Sequence, residues 1–382
     1  MNKLTLMSPE RVLFITNAIF LNKDLPEGGV RFCTDEYIEL LKARYEVAFL
    51  PVAFNRSLKY RIKYKFGIDA YEEYRPADYF AQLKTFFGER SVTKVFINLA
   101  NASEFSRYIK TTFSEYGVKV VLCSHGNESG DFLHQTVRFS GQMPLLKRLS
   151  SAYRLGKVLQ KESFYRLHFM DCVLTVSPIE ESIEKWLGAR SAYMVPRVFQ
   201  PAFLEWKPKK GRVGFVGDMS HPPNYYGILK LSEAIDQQGN SGKIEIRVVG
   251  KTDRNTAGMF EKYPFVKLLG YLDNTGMMKE AASWNYYLNP VFYYSKGVST
   301  KLGKGINWGL PVLSTTAGNR GYIFRGGTIA TIDDPAKMAA FIGVRMEDPA
   351  AVARDRAEVL AVANGSLTFR EIIDAIHGLL EG

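Results

Sequence analysis

"KGVSTKLGKGINWGLPVLST" (296–315) runs from a glycine-rich loop through a short helix into an apolar strand. The tail reads as a buried strand, because Leu310, Val312 and Leu313 are apolar and Ser314 and Thr315 end the run. Gly297, Ser299 and Thr300 are poor helix-interior residues but good loop and N-cap residues. From Lys301 the chain reads as a helix closed at Gly309. A glycine-rich loop feeding a helix N-terminus presents backbone N–H groups and a positive dipole end, which together suit an anion, most commonly phosphate.

Outward from this stretch, short apolar β-branched runs alternate with longer amphipathic segments, the pattern of βαβ units and parallel sheets. In the first half the runs are "RVLFIT" (11–16), "YEVAFLPV" (45–52), "KVFINLA" (94–100), "KVVLCS" (119–124) and "DCVLTVS" (171–177). "VFQPAFLEWKPKK" (198–210) has two prolines, a lysine cluster and no period, and reads as a linker. The alternation restarts with "RVGFVGD" (212–218), "IEIRVVGK" (244–251), "VKLLGYL" (266–272), "WNYYLNPV" (284–291) and "LPVLST" (310–315). The expected fold class is therefore α/β with two Rossmann-like domains, residues 1–200 and 201–382. The last segment is helical by period with a break at Gly365 and Ser366, and its return to the first domain is left open.

The 382 residues suit two domains better than one core, and 46% hydrophobic with 23% charged residues is a globular composition. Cys33, Cys123 and Cys172 are scattered without a CxxC pair, so buried thiols in a reducing compartment are expected. No run is long and apolar enough for a membrane span, and no signal peptide is read at the N-terminus.

The formal charge of +11 is concentrated. "NRSLKYRIKYKF" (55–66) carries Arg56, Lys59, Arg61, Lys63 and Lys65, interleaved with aromatics and free of acids. "LLKRLSSAYRLGKVLQKESFYRLHF" (145–169) sets six Lys and Arg residues against Glu162 alone. Each reads either as a solvated helix face or as a surface for an anionic partner such as lipid headgroups. No nucleic-acid-binding signature is present, so a nucleic-acid partner is not expected.

Ligands of open α/β sheets bind beyond the carboxyl ends of the strands. After the first strand come Gly28 and Gly29, a turn that precedes an amphipathic helix but lacks the G-x-G-x-x-G fingerprint. After "KVVLCS" comes "HGNESGDF", where His125 is the functional candidate and Glu128 and Asp131 are possible charged partners or general bases. In the second half, Gly217, Asn224, Lys251 and Tyr271 follow strands. There is no D-x-D, no H-x-x-x-H and no clustered acid set, so metal is not expected. A phosphate leaving group would then rely on lysine, arginine and helix N-termini.

The Gly-Gly loop, "SHG" after a central strand, "FVGDMSHPPN" and "STKLGKGINWGLPVLSTTAGNRGY" together resemble GT-B glycosyltransferases, and glycosyltransferase family 4 in particular. The resemblance implies an N-terminal acceptor domain, a C-terminal domain for a nucleoside diphosphate sugar, and metal-independent transfer with retention. It implies an active-site role for His125 near the donor sugar. Gly28 and Gly29 would approach the diphosphate, and Gly297, Ser299, Thr300 and Lys301 would form the phosphate-binding helix start. Lys304 stands where similar members carry a glutamate, Lys296 where many carry another acid, and the arginine–lysine pair usual after "FVG" is absent.

The expected function is transfer of a sugar from a nucleoside diphosphate sugar to a membrane-associated or polysaccharide acceptor, without a cofactor. Lys301 and the 297–301 amides would hold the diphosphate, with Gly217, Asn224, Lys251, Tyr271 and Lys304 as further donor contacts. His125 would orient the sugar, and closure about residues 198–210 would exclude water. The expected location is cytoplasmic, with peripheral attachment to the inner face of the plasma membrane as an extension. A nucleotide-sugar epimerase and a catalytically silent glycan- or partner-binding homologue are the alternatives. The sugar, nucleotide, acceptor, linkage and oligomeric state stay open.

Overall fold

A computed structural model describes residues 10–23, 29–66, 71–88, 92–139, 143–293 and 297–382. Contacts divide the chain into two compact units, Met1–Pro196 with Thr368–Gly382, and Arg197–Leu367.

The first unit holds β1 (Arg11–Asn17), β2 (Glu46–Val52), β3 (Lys94–Asn98), β4 (Lys119–Cys123), β5 (Cys172–Thr175) and β6 (Ala192–Met194). They form a parallel sheet in the order β2-β1-β3-β4-β5-β6. Val12, Leu13, Phe14 and Ile15 of β1 are all fully buried. An unbroken apolar run of this kind marks a strand covered on both faces. The second unit holds β7 (Arg212–Val216), β8 (Glu245–Val249), β9 (Val266–Gly270), β10 (Tyr286–Asn289), β11 (Val312–Ser314) and β12 (Ala330–Thr331). Its parallel sheet runs β12-β11-β10-β7-β8-β9. β6 and β12 are missed by pattern reading, because edge strands of three and two residues are too short to show a period. All three cysteines are buried free thiols.

The stretch 198–210 is not a loose linker. It belongs to the second unit and lies over it as an extended strap, with Ala202, Leu204, Lys207 and Lys209 donating backbone N–H bonds to Asn307, Trp308, Ala282 and Ser283. Trp206 Nε1 donates to the Trp284 carbonyl at 2.7 Å, and Phe199 is buried in the core. The prolines deny it regular structure, while its aromatic side chains still gain from burial.

The break at Gly365 and Ser366 separates the helices Pro349–Asn364 and Phe369–Glu381. The last helix opens on a Thr368–Glu371 capping box and buries Ile372, Ile373, Ile376 and Leu380 within the first unit. Arg44 pairs with Asp374 at 2.5 Å, and Tyr45 Oη lies 2.9 Å from His377 Nδ1.

Both basic runs are helical. The helix Leu58–Lys65 buries no residue. Leu58, Ile62 and Phe66, spaced to share one face, are 71%, 51% and 70% exposed. Lys63 is held by Glu72 at 2.5 Å, while Arg56, Lys59, Arg61 and Lys65 are exposed. The helix Leu145–Phe169 begins with Leu145, Leu146, Leu149 and Tyr153 exposed beside Lys147 and Arg148, and becomes buried only in its second half.

Candidate functional site

In the second sheet the strand order reverses between β10 and β7, and ligands of such sheets sit beyond the strand ends at the reversal. The chain leaving β7 turns at Gly217, and the chain leaving β10 enters the helix Thr300–Asn307. The two meet where the Lys301 side chain crosses Gly217. A Cβ on Gly217 would stand 2.6 Å from Lys301 Cε. Gly250, at φ +140°, packs so tightly that its own Cβ would stand 2.1 Å from the Gly217 carbonyl oxygen. Gly250 is therefore required by close backbone approach, and Gly217 leaves room for the Lys301 stem and the Phe215 ring.

The helix begins one residue earlier than read, at Thr300, and Gly309 (φ +64°) follows its end. Ser299 is the N-cap residue, yet its Oγ donates to Asn289 Oδ1 at 2.7 Å and caps no helix amide. Asn289 in turn donates to Ser314 Oγ at 3.0 Å and to the Gly318 carbonyl at 3.1 Å. Thr300 and Lys301 keep first-turn amides with no intrahelical acceptor. The loop is held open from the far side. Arg320 Nε donates to the carbonyl of buried Gly297 (φ +76°) at 2.7 Å. The Tyr322 hydroxyl donates to the Ser299 carbonyl at 2.7 Å and accepts the Gly303 N–H at 3.1 Å. Asn289, Arg320 and Tyr322 were not among the expected site residues, although "NRGY" closes the stretch that carries the family resemblance.

Lys301 forms no hydrogen bond or ion pair among the described residues. Burial, then the neighbouring Arg320, push its ammonium down to about 8, while Asp218 acts weakly the other way. Two crowded cations beside a helix N-terminus make a socket for an anion.

The remaining expected donor residues divide. Asn224 is buried, and its Nδ2 donates to the Asp218 carbonyl at 2.5 Å, so it shapes the turn after β7. Lys251 is exposed at the end of β8, and its carbonyl accepts the Met219 N–H at 2.8 Å. Lys304 lies one turn beyond Lys301 with its Nζ 5.4 Å from the Trp308 ring centre. Tyr271 is 85% exposed and follows the edge strand β9, directly after Gly270, whose carbonyl accepts the Gly250 N–H at 2.8 Å.

In the first unit His125 follows β4, beside β3 and the strand reversal at β1. His125 Nε2 lies 2.7 Å from Asn98 Oδ1, and Asn98 Nδ2 donates to Thr16 Oγ1 at 2.8 Å and to Thr34 Oγ1 at 2.9 Å. With both amide hydrogens so used, Asn98 presents its oxygen, which assigns the His125 proton to Nε2 and leaves Nδ1 as the basic nitrogen. The Tyr37 ring packs 5.5 Å from the imidazole. The amide at the end of β3 thus orients the imidazole through Nε2.

Glu128 opens the helix Glu128–Phe139, and its backbone N–H donates to Glu162 Oε1 at 3.0 Å. Glu162, fully buried, also accepts from Ser129 N at 3.3 Å, Asn127 Nδ2 at 3.3 Å and Tyr71 Oη at 2.8 Å. A carboxylate from the long basic helix therefore fixes the loop that carries His125. Asp131 lies in the same helix, with its side chain outside the described residues, as Gly28 is altogether. Gly29 begins the helix Gly29–Lys42, and among the described residues no atom within 4 Å would obstruct a Cβ there.

Residues 210–348 match the family model described as Glycosyl transferases group 1. No curated protein matches the sequence. Among solved structures the chain is similar to HepE of Anabaena, crystallised with UDP and glucose, at 12% identity and a TM-score of 0.58, over 98% of this chain and 100% of that one. It is similar to WaaG, a glycosyltransferase involved in lipopolysaccharide biosynthesis, at 13% identity and a TM-score of 0.58, over 97% and 100%. A variant of S. aureus TarM, in complex with Fondaparinux, alpha-GlcNAc-glycerol and UDP, matches at 12% identity and a TM-score of 0.51, over 76% and 55%. At such identities the structural likeness is one of fold, and that fold is GT-B.

Proposed function

We propose, from the premise that the chain is a GT-B glycosyltransferase whose residues 210–348 form a glycosyl transferases group 1 domain, that it moves a sugar from a nucleoside diphosphate sugar to a glycan or lipid-linked acceptor at an anionic membrane surface. The bond from the anomeric carbon to the diphosphate oxygen breaks, and its electron pair leaves with the diphosphate. The acceptor hydroxyl oxygen bonds that carbon with retention and passes its proton to an oxygen of the departing diphosphate, and no metal is assigned to the step.

The observation that carries this reading is Lys301. A lysine crowded against Arg320 and crossing Gly217, with no carboxylate at ion-pair distance among the described residues, is stabilised by a bound anion. The diphosphate accepts from Lys301 and the first-turn amides of its helix, which stabilises the charge that develops as it leaves. His125, oriented through Asn98, serves the donor sugar. The membrane part of the reading is supported by the apolar stripe Leu58, Ile62 and Phe66 among exposed cations.

The test is a panel of nucleotide sugars offered to the full chain and to Lys301→Ala, scoring nucleoside diphosphate release and product. Transfer or hydrolysis by the parent alone supports the reading. Donor isomerisation without release would indicate an epimerase, and no turnover with any donor a silent homologue.

A further inference from the structure

The first unit contains a cavity of about 560 Å³ between the helix Leu58–Lys65 and the helices Glu104–Thr112 and Leu145–Phe169. Its size suits one or two sugar rings. Its walls are polar and carry Lys59, Arg107 and Lys161, none of which has a carboxylate within ion-pair distance among the described residues. Glu72 on the rim is already taken by Lys63 at 2.5 Å. Glu104, the remaining acid, accepts the Tyr74 N–H at 3.2 Å, and burial pushes its carboxyl up to about 8. At neutral pH it is a hydrogen-bond donor more than a charge, so the cavity keeps an excess of cations.

We infer that this cavity binds the anionic saccharide end of the acceptor, a sugar that carries a phosphate or a carboxylate. The inference rests on the transferase reading for the word acceptor, while the chemistry of the cavity stands on its own residues. Lysine and arginine without acid partners recognise the anion, and the neutral Glu104 and the tyrosine hydroxyls recognise ring oxygens. The position agrees. Tyr74 Oη bonds Asn17 Nδ2 at the end of β1 at 3.2 Å, and Glu104 opens the helix that follows β3, so the cavity lies at the sheet edge that carries His125. Lys161 adjoins Glu162, whose carboxylate holds the His125 loop. Lys59 belongs to the exposed apolar and basic helix, which places the cavity mouth beside the surface proposed to meet lipid.

The test titrates the full chain with glucose, glucose 6-phosphate and glucuronate by calorimetry, and separately with UDP, so that failure of the donor reading shows in one titration and failure of the cavity in the other. The parent is expected to bind glucose 6-phosphate at least about tenfold more tightly than glucose. Arg107→Gln with Lys161→Gln removes that preference and leaves UDP affinity and the melting temperature unchanged. Equal binding of glucose and glucose 6-phosphate, an unaltered double variant, or displacement of glucose 6-phosphate by UDP overturns the inference. A parallel arm with phosphatidylglycerol vesicles identifies the source of the anion. Loss of both vesicle and phosphosugar binding in the double variant assigns a lipid headgroup, and loss of the phosphosugar alone assigns the free saccharide.

Discussion

Lys301 lies so close over Gly217 that a Cβ on the glycine would stand 2.6 Å from Lys301 Cε. Neither residue is near the other in sequence, and each explains the other. The glycine leaves room for a lysine stem, and the lysine brings its charge to the turn after β7. Gly217→Ala is expected to push the flexible lysine aside and to cost some stability against the buried Phe215 ring, 2.9 Å away, without unfolding the protein. UDP affinity should fall about tenfold, and Lys301→Ala should cost about 1.5–3 kcal/mol of binding. Calorimetry on the two folded variants checks this, and unchanged affinity in both would remove the diphosphate from this socket.

The same lysine predicts a pH dependence. Its ammonium titrates near about 8 in the free protein, and a bound diphosphate raises that value. UDP affinity should be flat below neutral pH and fall by about tenfold per pH unit above the free value. The sign for stability is opposite. Between the folded value and the usual lysine value near ~10.4, the unfolded chain binds more protons, so this group's contribution to stability rises with pH. Lys301→Met should therefore melt higher than the parent at neutral pH and lose the pH dependence of UDP binding. A parent with pH-independent UDP affinity up to about pH 10 would contradict the assignment.

Asn98 and His125 are expected to act as one unit. His125→Ala should lower turnover by about a hundredfold or more with UDP affinity unchanged. Asn98→Ala frees the tautomer and should lower turnover while it shifts the pH–rate profile, because Nε2 loses its acceptor. Steady-state kinetics against pH decide the matter. A near-parental rate for His125→Ala returns this histidine to a structural role.

The exposed helix Leu58–Lys65 should bind anionic vesicles through two separable forces. Changing Arg56, Lys59, Arg61 and Lys65 to Gln removes roughly 1 kcal/mol each at low salt. Changing Leu58, Ile62 and Phe66 to Ser should instead abolish the binding that survives high salt, since apolar burial is not screened. Lys63 should matter least, because Glu72 holds it. Co-sedimentation at two salt concentrations tests this, and a parent that stays in the supernatant with anionic lipid rejects the membrane reading.

What the amino-acid order determined by itself is local. The runs from "RVLFIT" to "LPVLST" became ten parallel strands, because a β-branched apolar run of strand length has few other ways to bury itself. The passage from loop to helix was legible to within one residue, at Thr300 rather than Lys301, since glycine, serine and threonine act through their own backbone conformations. The tertiary structure decided everything that joins distant segments. Asn98 meets Thr16, Thr34 and His125 only because β1, β3 and β4 end side by side. Glu162 reaches the loop after His125 from a helix whose composition suggested only a basic surface. Arg320 grips Gly297 from beyond the next strand. The stretch 198–210 reads as a linker because its prolines and lysines break every period, yet Phe199 and Trp206 bind it to the second unit. Partner choice is the common cause. Residue type states what a side chain can donate, accept or bury, but which group stands opposite is set by the packing of elements far apart in the chain.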